Sequence, residues 1–179
     1  MSIDSGLSIR RFSSAEWRAY RELRLAALTD SPDAFGSTLE REGASSDDQW
    51  AARLASGVAS ATDLPLVAEV DGRPVGLAWG RIEAAAPDTA HLFQMWVSPA
   101  HRGIGAGRLL VDAVIRWARS QRATQLVLGV TCGDTPAVRL YARAGFVPDG
   151  DPGPIRPGAS VLAQPMRLVL DEDDGAQTT

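Results

Sequence analysis

The stretch VSPAHRGIGAGRLLVDAVIRWA sets Gly103, Gly105 and Gly107 at alternate positions and then runs directly into an amphipathic helix. A tight turn needs one glycine, or two. Three of them beside Arg102 mark a place where the backbone must come close to something bulky and negatively charged. Glycine permits that approach because no Cβ intervenes. The helix N-terminus adds unpaired amides and the positive end of the macrodipole, which together favour anions and above all phosphates. Arginine contributes a planar, permanently charged fork suited to phosphate oxygens. The segment reads as a pyrophosphate cradle.

Two familiar cradles do not fit. The dinucleotide fingerprint G-x-G-x-x-G fails in register, since from Gly103 its third glycine falls on Arg108. The following strand, TQLVLGVT, also ends without an acid for a ribose hydroxyl. The ATP-type P-loop fails for want of lysine: all 18 basic residues are arginine. The same absence removes Schiff-base chemistry through a lysine.

Around this segment the pattern is mixed. LSIRRF reads as a strand, and SSAEWRAYRELRLAALTD as a helix capped by Ser13 or Ser14, with Trp17, Tyr20, Leu23, Leu25 and Leu28 near helical spacing. SPDAFGSTLEREG, broken by Pro32 and Gly36, reads as a long structured loop, and SSDDQWAARLAS as a short helix capped by Ser45 or Ser46. Two strands then meet at the Asp71-Gly72 turn, and DTAHLFQMWVSP forms a third. The helix after the glycines places Leu109, Leu110, Ala113, Val114 and Trp117 on one face. TQLVLGVT is the next strand, TPAVRLYARAG a helix stopped at Gly145, and SVLAQPMRLVL a last strand. Strand–helix–strand order around the glycines predicts a right-handed crossover within a mixed sheet covered on both faces.

The chain is read as one domain over residues 1–170, with residues 171–179, DEDDGAQTT, as an acidic tail expected to be disordered. A net charge of -4 argues against a broad nucleic-acid surface. No apolar run approaches the roughly 20 residues of a membrane span. The start MSIDSGLSIRRF lacks the pattern of a secretion signal. A single cysteine, Cys132, fits a reducing compartment, so a cytoplasmic location is expected, and the thiol reads as packed and inert. His91 and His101 lack a cysteine or carboxylate pattern, so no metal site is expected.

Arg102-Gly103-Ile104-Gly105-Ala106-Gly107 closely resembles the R/Q-x-x-G-x-G/A signature of the GNAT superfamily of acyl-CoA-dependent N-acyltransferases. The preceding Val97-Ser98-Pro99 and the downstream segment Ala137 to Phe146, which resembles N-x-x-A-x-x-L-Y-x-x-x-G-F, extend the likeness over residues 64 to 170. It implies an α+β fold: a mixed, mostly antiparallel sheet of about seven strands flanked by about four helices, splayed between the fourth and fifth strands. It implies acetyl-CoA as cosubstrate and direct attack by an amine of a small molecule or peptide, in a monomer or homodimer. The runner-up is a domain that binds coenzyme A without turnover.

The resemblance places cofactor contacts at Met95, Trp96, Val97, Arg102, Gly103, Ile104, Gly105, Ala106, Gly107, Arg108, Asp134 and Tyr141. Tyr141 is the implied general acid toward the departing thiolate. For the amine proton, His91 is the first candidate, Glu83 the competitor, and water without a dedicated residue the third route. One departure stands out: the family's asparagine is Asp134 here, which accepts but cannot donate and is read as a helix cap. The acceptor groove is expected between the loop after the first helix, the second helix and the loop VPDGDPGPIRPGAS. Asp30, Asp33, Glu40 and Glu42 in the first of these would favour a cationic acceptor through their field.

Overall fold

The structure, a computed structural model, describes residues 6–170. The acidic tail expected at 171–179 lies outside the described residues. A strand β1 (Leu7–Arg11) leads through a single 3-10 turn into α1 (Trp17–Asp30). The turn begins where Glu16 Oε2 accepts the Ser13 amide at 2.8 Å, which fixes the cap on the first of the two candidate serines. Two further helices follow, α2 (Leu39–Gly43) and α3 (Asp47–Ala59). Ser46 caps α3 reciprocally: its Oγ accepts the Gln49 amide at 3.2 Å and Gln49 Oε1 accepts the Ser46 amide at 2.8 Å. The segment read as a structured loop therefore contains a helix of its own.

The sheet proper is built from β2 (Asp63–Val70), β3 (Arg73–Ile82), β4 (Thr89–Val97), β5 (Gln125–Thr131) and β8 (Leu162–Val169). Helices α4 (Ala106–Ser120) and α5 (Pro136–Arg143) follow β4 and β5 respectively. Two short strands, β6 (Val147–Pro148) and β7 (Gly153–Pro154), lean on β8. The order is β1-β2-β3-β4-β5-β8-β6, and every pairing is antiparallel except β4 with β5. The described residues thus form the expected α+β architecture, with eight strands and five α-helices. Asp71 and Gly72, at φ 51° and 75°, make the β2–β3 turn, since two left-handed residues match the twist of the flanking strands.

Two apolar clusters cover opposite faces of the sheet. One holds α4, with Leu110, Val111 and Val114 against Leu66, Leu92 and Leu126, and takes in Tyr141 and Phe146. The other packs α1 and α3 on the sheet through Tyr20, Leu28, Trp50, Leu54, Trp79 and Trp96. The buried stripe of α4 runs through Ala106, Leu110, Val111, Val114, Ile115 and Ala118. Leu109, expected inward, is 39% exposed because the stripe is rotated by about one position toward the C-terminus. Among the described residues no helix is long and apolar enough to cross a membrane.

Candidate active site

The parallel β4–β5 pairing lasts three residues, from Thr89↔Gln125 to His91↔Val127. Beyond that point β5 pairs only with β8, and β4 keeps a partner only on its β3 side. The strands part, which leaves β4 from Leu92 onward with a free edge able to pair with an extended ligand.

That edge is bent by a bulge. Gln94 and Met95 lie between the pairs Trp79↔Phe93 and Leu77↔Trp96, where β3 supplies only Ala78. Gln94 takes a left-handed φ of 54°, unusual for a residue with a side chain. Its side chain is held: the Tyr20 hydroxyl donates to Gln94 Oε1 at 2.9 Å from within the aromatic cluster. Opposite the end of the bulge, Gly76 leaves room for the strand; a Cβ there would stand 2.8 Å from the Trp96 carbonyl oxygen. Nothing in the sequence marks Gln94, since neither glycine nor asparagine occupies the left-handed position.

The glycine segment opens α4 beside this bulge. Gly103 and Gly105 have φ of 80° and 94°, and Gly105 occupies the N-cap without a capping side chain. No amide from Gly103 through Arg108 donates a hydrogen bond within the described residues; the first paired one is Leu109, to Gly105 at 3.0 Å. Six consecutive free donors running into a helix N-terminus form a site suited to an anion such as a diphosphate. A Cβ at Gly107 would stand 3.3 Å from Leu140 Cδ2 and 3.4 Å from Met95 Cε, so the segment, the bulge and α5 meet closely at this point. The cradle fits a phosphate-bearing cofactor whose arm continues along β4.

Arg102 is committed elsewhere. Its Nε donates to the Val97 carbonyl at 3.0 Å and its Nη2 to Asp30 Oδ2, which also accepts Trp96 Nε1 at 3.0 Å. Hydrogen bonds from Trp96, Ser31 and Arg102 hold the Asp30 carboxyl down at about 2. The arginine thus ties the glycine segment to the end of α1, and the free donors of the cradle are main-chain amides. His101 Nδ1 lies 2.7 Å from Ser98 Oγ in the same turn.

Tyr141 lies on the α4 side of the sheet, edge-on to Phe146 at 5.8 Å, with its hydroxyl making no hydrogen bond within the described residues. Burial pushes its phenol well above the usual value, so it stays protonated. The two base candidates come together: His91 and Glu83 line one cavity of about 480 Å³ at the fork, with Leu92 and Phe93 of β4 and Val127 and Leu128 of β5. A second cavity of about 410 Å³ adjoins it through Arg81 and Phe93, walled by Ser37, Arg41 and Glu42 near α2 and Arg53 of α3.

Three sequence expectations need correction. Asp134 does not cap α5; the Thr135 Oγ1 accepts the Val138 amide at 3.2 Å, and Asp134 pairs with Arg139 at 2.6 Å. Cys132 is exposed rather than packed. The acidic field of the loop is reduced to Asp33 and Glu40: Asp30 is bound as above, and Glu42 accepts Arg24 Nη2 at 2.7 Å and Arg53 Nη1 at 3.2 Å. Burial pushes the Glu42 carboxyl up, but hydrogen bonding and charge from Arg24, with Arg53 adding to them, win and hold it below its usual range.

Residues 17–146 match the model of the acetyltransferase (GNAT) family, well over half of the chain. The chain belongs to that family. It is 30% identical over 101 residues to the L-2,4-diaminobutyric acid acetyltransferase of Nocardia farcinica, covering 56% of this chain and 48% of that one. It is 27% identical over 160 residues to the mycothiol acetyltransferase of Acidothermus cellulolyticus, covering 82% and 46%. The chain therefore spans about half the length of these curated relatives. In fold it is similar to yncA of Salmonella typhimurium, solved with its cofactor acetyl-CoA, at TM-score 0.77 and 24% identity over 98% of this chain and 100% of the other. The spermidine N-acetyltransferase of Vibrio cholerae, in complex with CoA and spermine, superposes at TM-score 0.72 with 18% identity over 93% and 97%.

Proposed function

We propose that the chain transfers an acetyl group from acetyl-CoA to a primary amine of a small molecule or peptide, both bound at once. The observation that carries this is the run of unpaired amides from Gly103 to Arg108, set beside a strand edge that is open from Leu92 onward. Acetyl-CoA supplies an activated thioester: the C–S bond breaks as the N–C bond forms, one proton leaves nitrogen and one must reach sulfur.

The residues divide this work by position. Amides of Gly103, Ile104, Gly105, Ala106, Gly107 and Arg108 hold the diphosphate, and the main chain of Met95, Trp96 and Val97 pairs with the extended arm. In this reading an amide near Met95, at the bulge, donates to the thioester carbonyl oxygen without reorganisation of the donor. Tyr141, buried on the α4 side and so protonated, is assigned as the donor of the proton that the departing sulfur takes up. His91 and Glu83 face the amine from the cavity at the fork and take its proton directly or through water. Asp134, exposed and paired with Arg139, is left outside these contacts. Holding both substrates in line supplies a large share of the acceleration.

Calorimetry with acetyl-CoA, followed by a thiol-release assay across an amine series, tests the reading. Heat of binding together with thiol release supports it. Binding without thiol release from any amine would leave a coenzyme A-binding domain, and absence of binding would remove the cradle itself.

A further inference from the structure

The second cavity has a definite electrostatic character that the acyl-transfer reading does not use. Three guanidinium groups, those of Arg41, Arg53 and Arg81, face it against one carboxylate, Glu42. Glu42 is already spoken for by Arg24, which is 3% exposed and makes three hydrogen bonds to it at 2.7 to 3.2 Å. Arg81 has its own partner in Asp63 at 2.7 Å. Arg53 shares the neutralised Glu42 at 3.2 Å, and the Arg41 side chain makes no ion pair or hydrogen bond with any described residue. Positive charge is left over at this end of the groove.

Two of the three donors are also braced. The Arg53 guanidinium lies 4.5 Å over the Trp50 ring, and that of Arg81 lies 5.3 Å over Phe93, contacts that restrict both side chains before a ligand arrives. Gln94 gives its Oε1 to Tyr20, which leaves only its amide NH2 for the cavity. A cavity offering two braced guanidinium groups, a third that is unpaired, and surplus positive charge favours an oxyanion, and guanidinium forks match a carboxylate. The fork end differs: there Glu83 and Asp149 stand with His91. His91 and Phe93 are two strand positions apart, about 7 Å.

We propose that the acetyl acceptor is an amine carrying a carboxylate several bonds away, as in a diamino acid or a short peptide. Its amine sits at the fork and its carboxylate between Arg41 and Arg53. This rests on the acyl-transfer reading for the role of the amine, but the oxyanion site stands on its own geometry and can be tested separately.

The test uses L-2,4-diaminobutyrate and its carboxamide, and the N-acetylated form of each, with the purified chain. In calorimetry the acetylated acid binds about tenfold tighter than the acetylated carboxamide, and thiol release with acetyl-CoA shows a similar ratio in kcat/KM. Arg41→Gln brings either ratio to about threefold or less, and Arg41→Lys restores part of it, as expected for charge recognition rather than packing. Equal affinity for the acid and the carboxamide, or failure of both to bind, overturns the proposal, as does an unchanged ratio in Arg41→Gln. A preference for the acid in a protein that does not bind acetyl-CoA would sink the acyl-transfer reading and leave the oxyanion site intact. Acetyl-CoA turnover without that preference would do the reverse.

Discussion

Removing one hydroxyl group tests whether the bulge in β4 is held in shape from behind. In Tyr20→Phe the ring keeps its neighbours, with Phe12 at 5.8 Å and Trp50 and Trp79 at 5.6 Å, so the apolar packing is conserved. What is lost is the 2.9 Å hydrogen bond to Gln94 Oε1. Gln94 is half-buried and borders a cavity, so water can replace the donor, and the net loss is about 1 kcal/mol. For a domain of this size that lowers the thermal midpoint by roughly 2–4 °C. The same bond restrains a residue with φ 54°, a conformation that costs about 1 kcal/mol or more when unsupported. If the restraint positions the Met95 amide for the role proposed above, about 1 kcal/mol of positioning is lost and kcat falls about fivefold. Acetyl-CoA affinity, which the proposal assigns to the glycine segment, stays within about twofold of wild type. The assays are steady-state thiol release, calorimetry with acetyl-CoA and a thermal melt. A lowered midpoint with unchanged kcat would refute the clamp, because the bond would then be shown to stabilise the fold without aiming the bulge. Gln94→Gly sharpens the test: glycine accepts the left-handed φ, and Tyr20→Phe added to it should cost little further activity.

Three further outcomes are expected. Gly105→Val places a β-branched residue at φ 94° in the middle of the cradle, and acetyl-CoA affinity measured by calorimetry should fall by at least about tenfold while circular dichroism stays native; undiminished affinity would remove the amides from diphosphate binding. Tyr141→Phe should lower kcat by about a hundredfold with acetyl-CoA affinity nearly unchanged, since its hydroxyl makes no structural hydrogen bond among the described residues. Because burial raises the Tyr141 phenol, any alkaline fall in kcat below about pH 10 in wild type must come from another group and should persist in the variant. The Asp30 carboxyl, held at about 2 by Trp96, Ser31 and Arg102, lies below its unfolded value, so its contribution is complete above about pH 5 and disappears as pH falls from 4 toward 2. After allowance for solvent screening this is about 1 kcal/mol, and urea unfolding of Asp30→Asn should show a shallower acid slope than wild type; equal slopes would refute the linkage.

What could be read from the sequence was what depends on neighbours along the chain. The alternate glycines, the hairpin at Asp71-Gly72, the caps at Ser13 and Ser46 and the strand–helix order are all local, and each falls where the pattern put it. Helix α2 escaped because its five residues are too few to show a period, follow closely on Gly36 and end on Gly43. Its stability comes from Thr38 Oγ1, which accepts the Arg41 amide, and from the bond between Glu42 and an arginine 18 positions earlier. The bulge escaped for the same reason, since Gln94 is held by a tyrosine 74 positions away.

Charge shows most clearly why the rest was out of reach. Along the chain, Asp30, Asp33, Glu40 and Glu42 form an acidic run, and a run of like charge sets a field whose sign can be read directly. Folding changes the sign that a ligand meets. Asp30 is taken up by Trp96 and Arg102, and Glu42 by Arg24 on the helix before it and Arg53 on the helix after it. Arg41, from within the acidic run itself, and Arg53 and Arg81, from outside it, turn toward the cavity. The polarity of the groove is therefore fixed by which carboxylates find partners, not by how many there are. The composition of the loop suggests a cationic acceptor, but the fold withdraws Asp30 and Glu42 from that field and leaves the carboxylate proposed above as the group the arginines would meet.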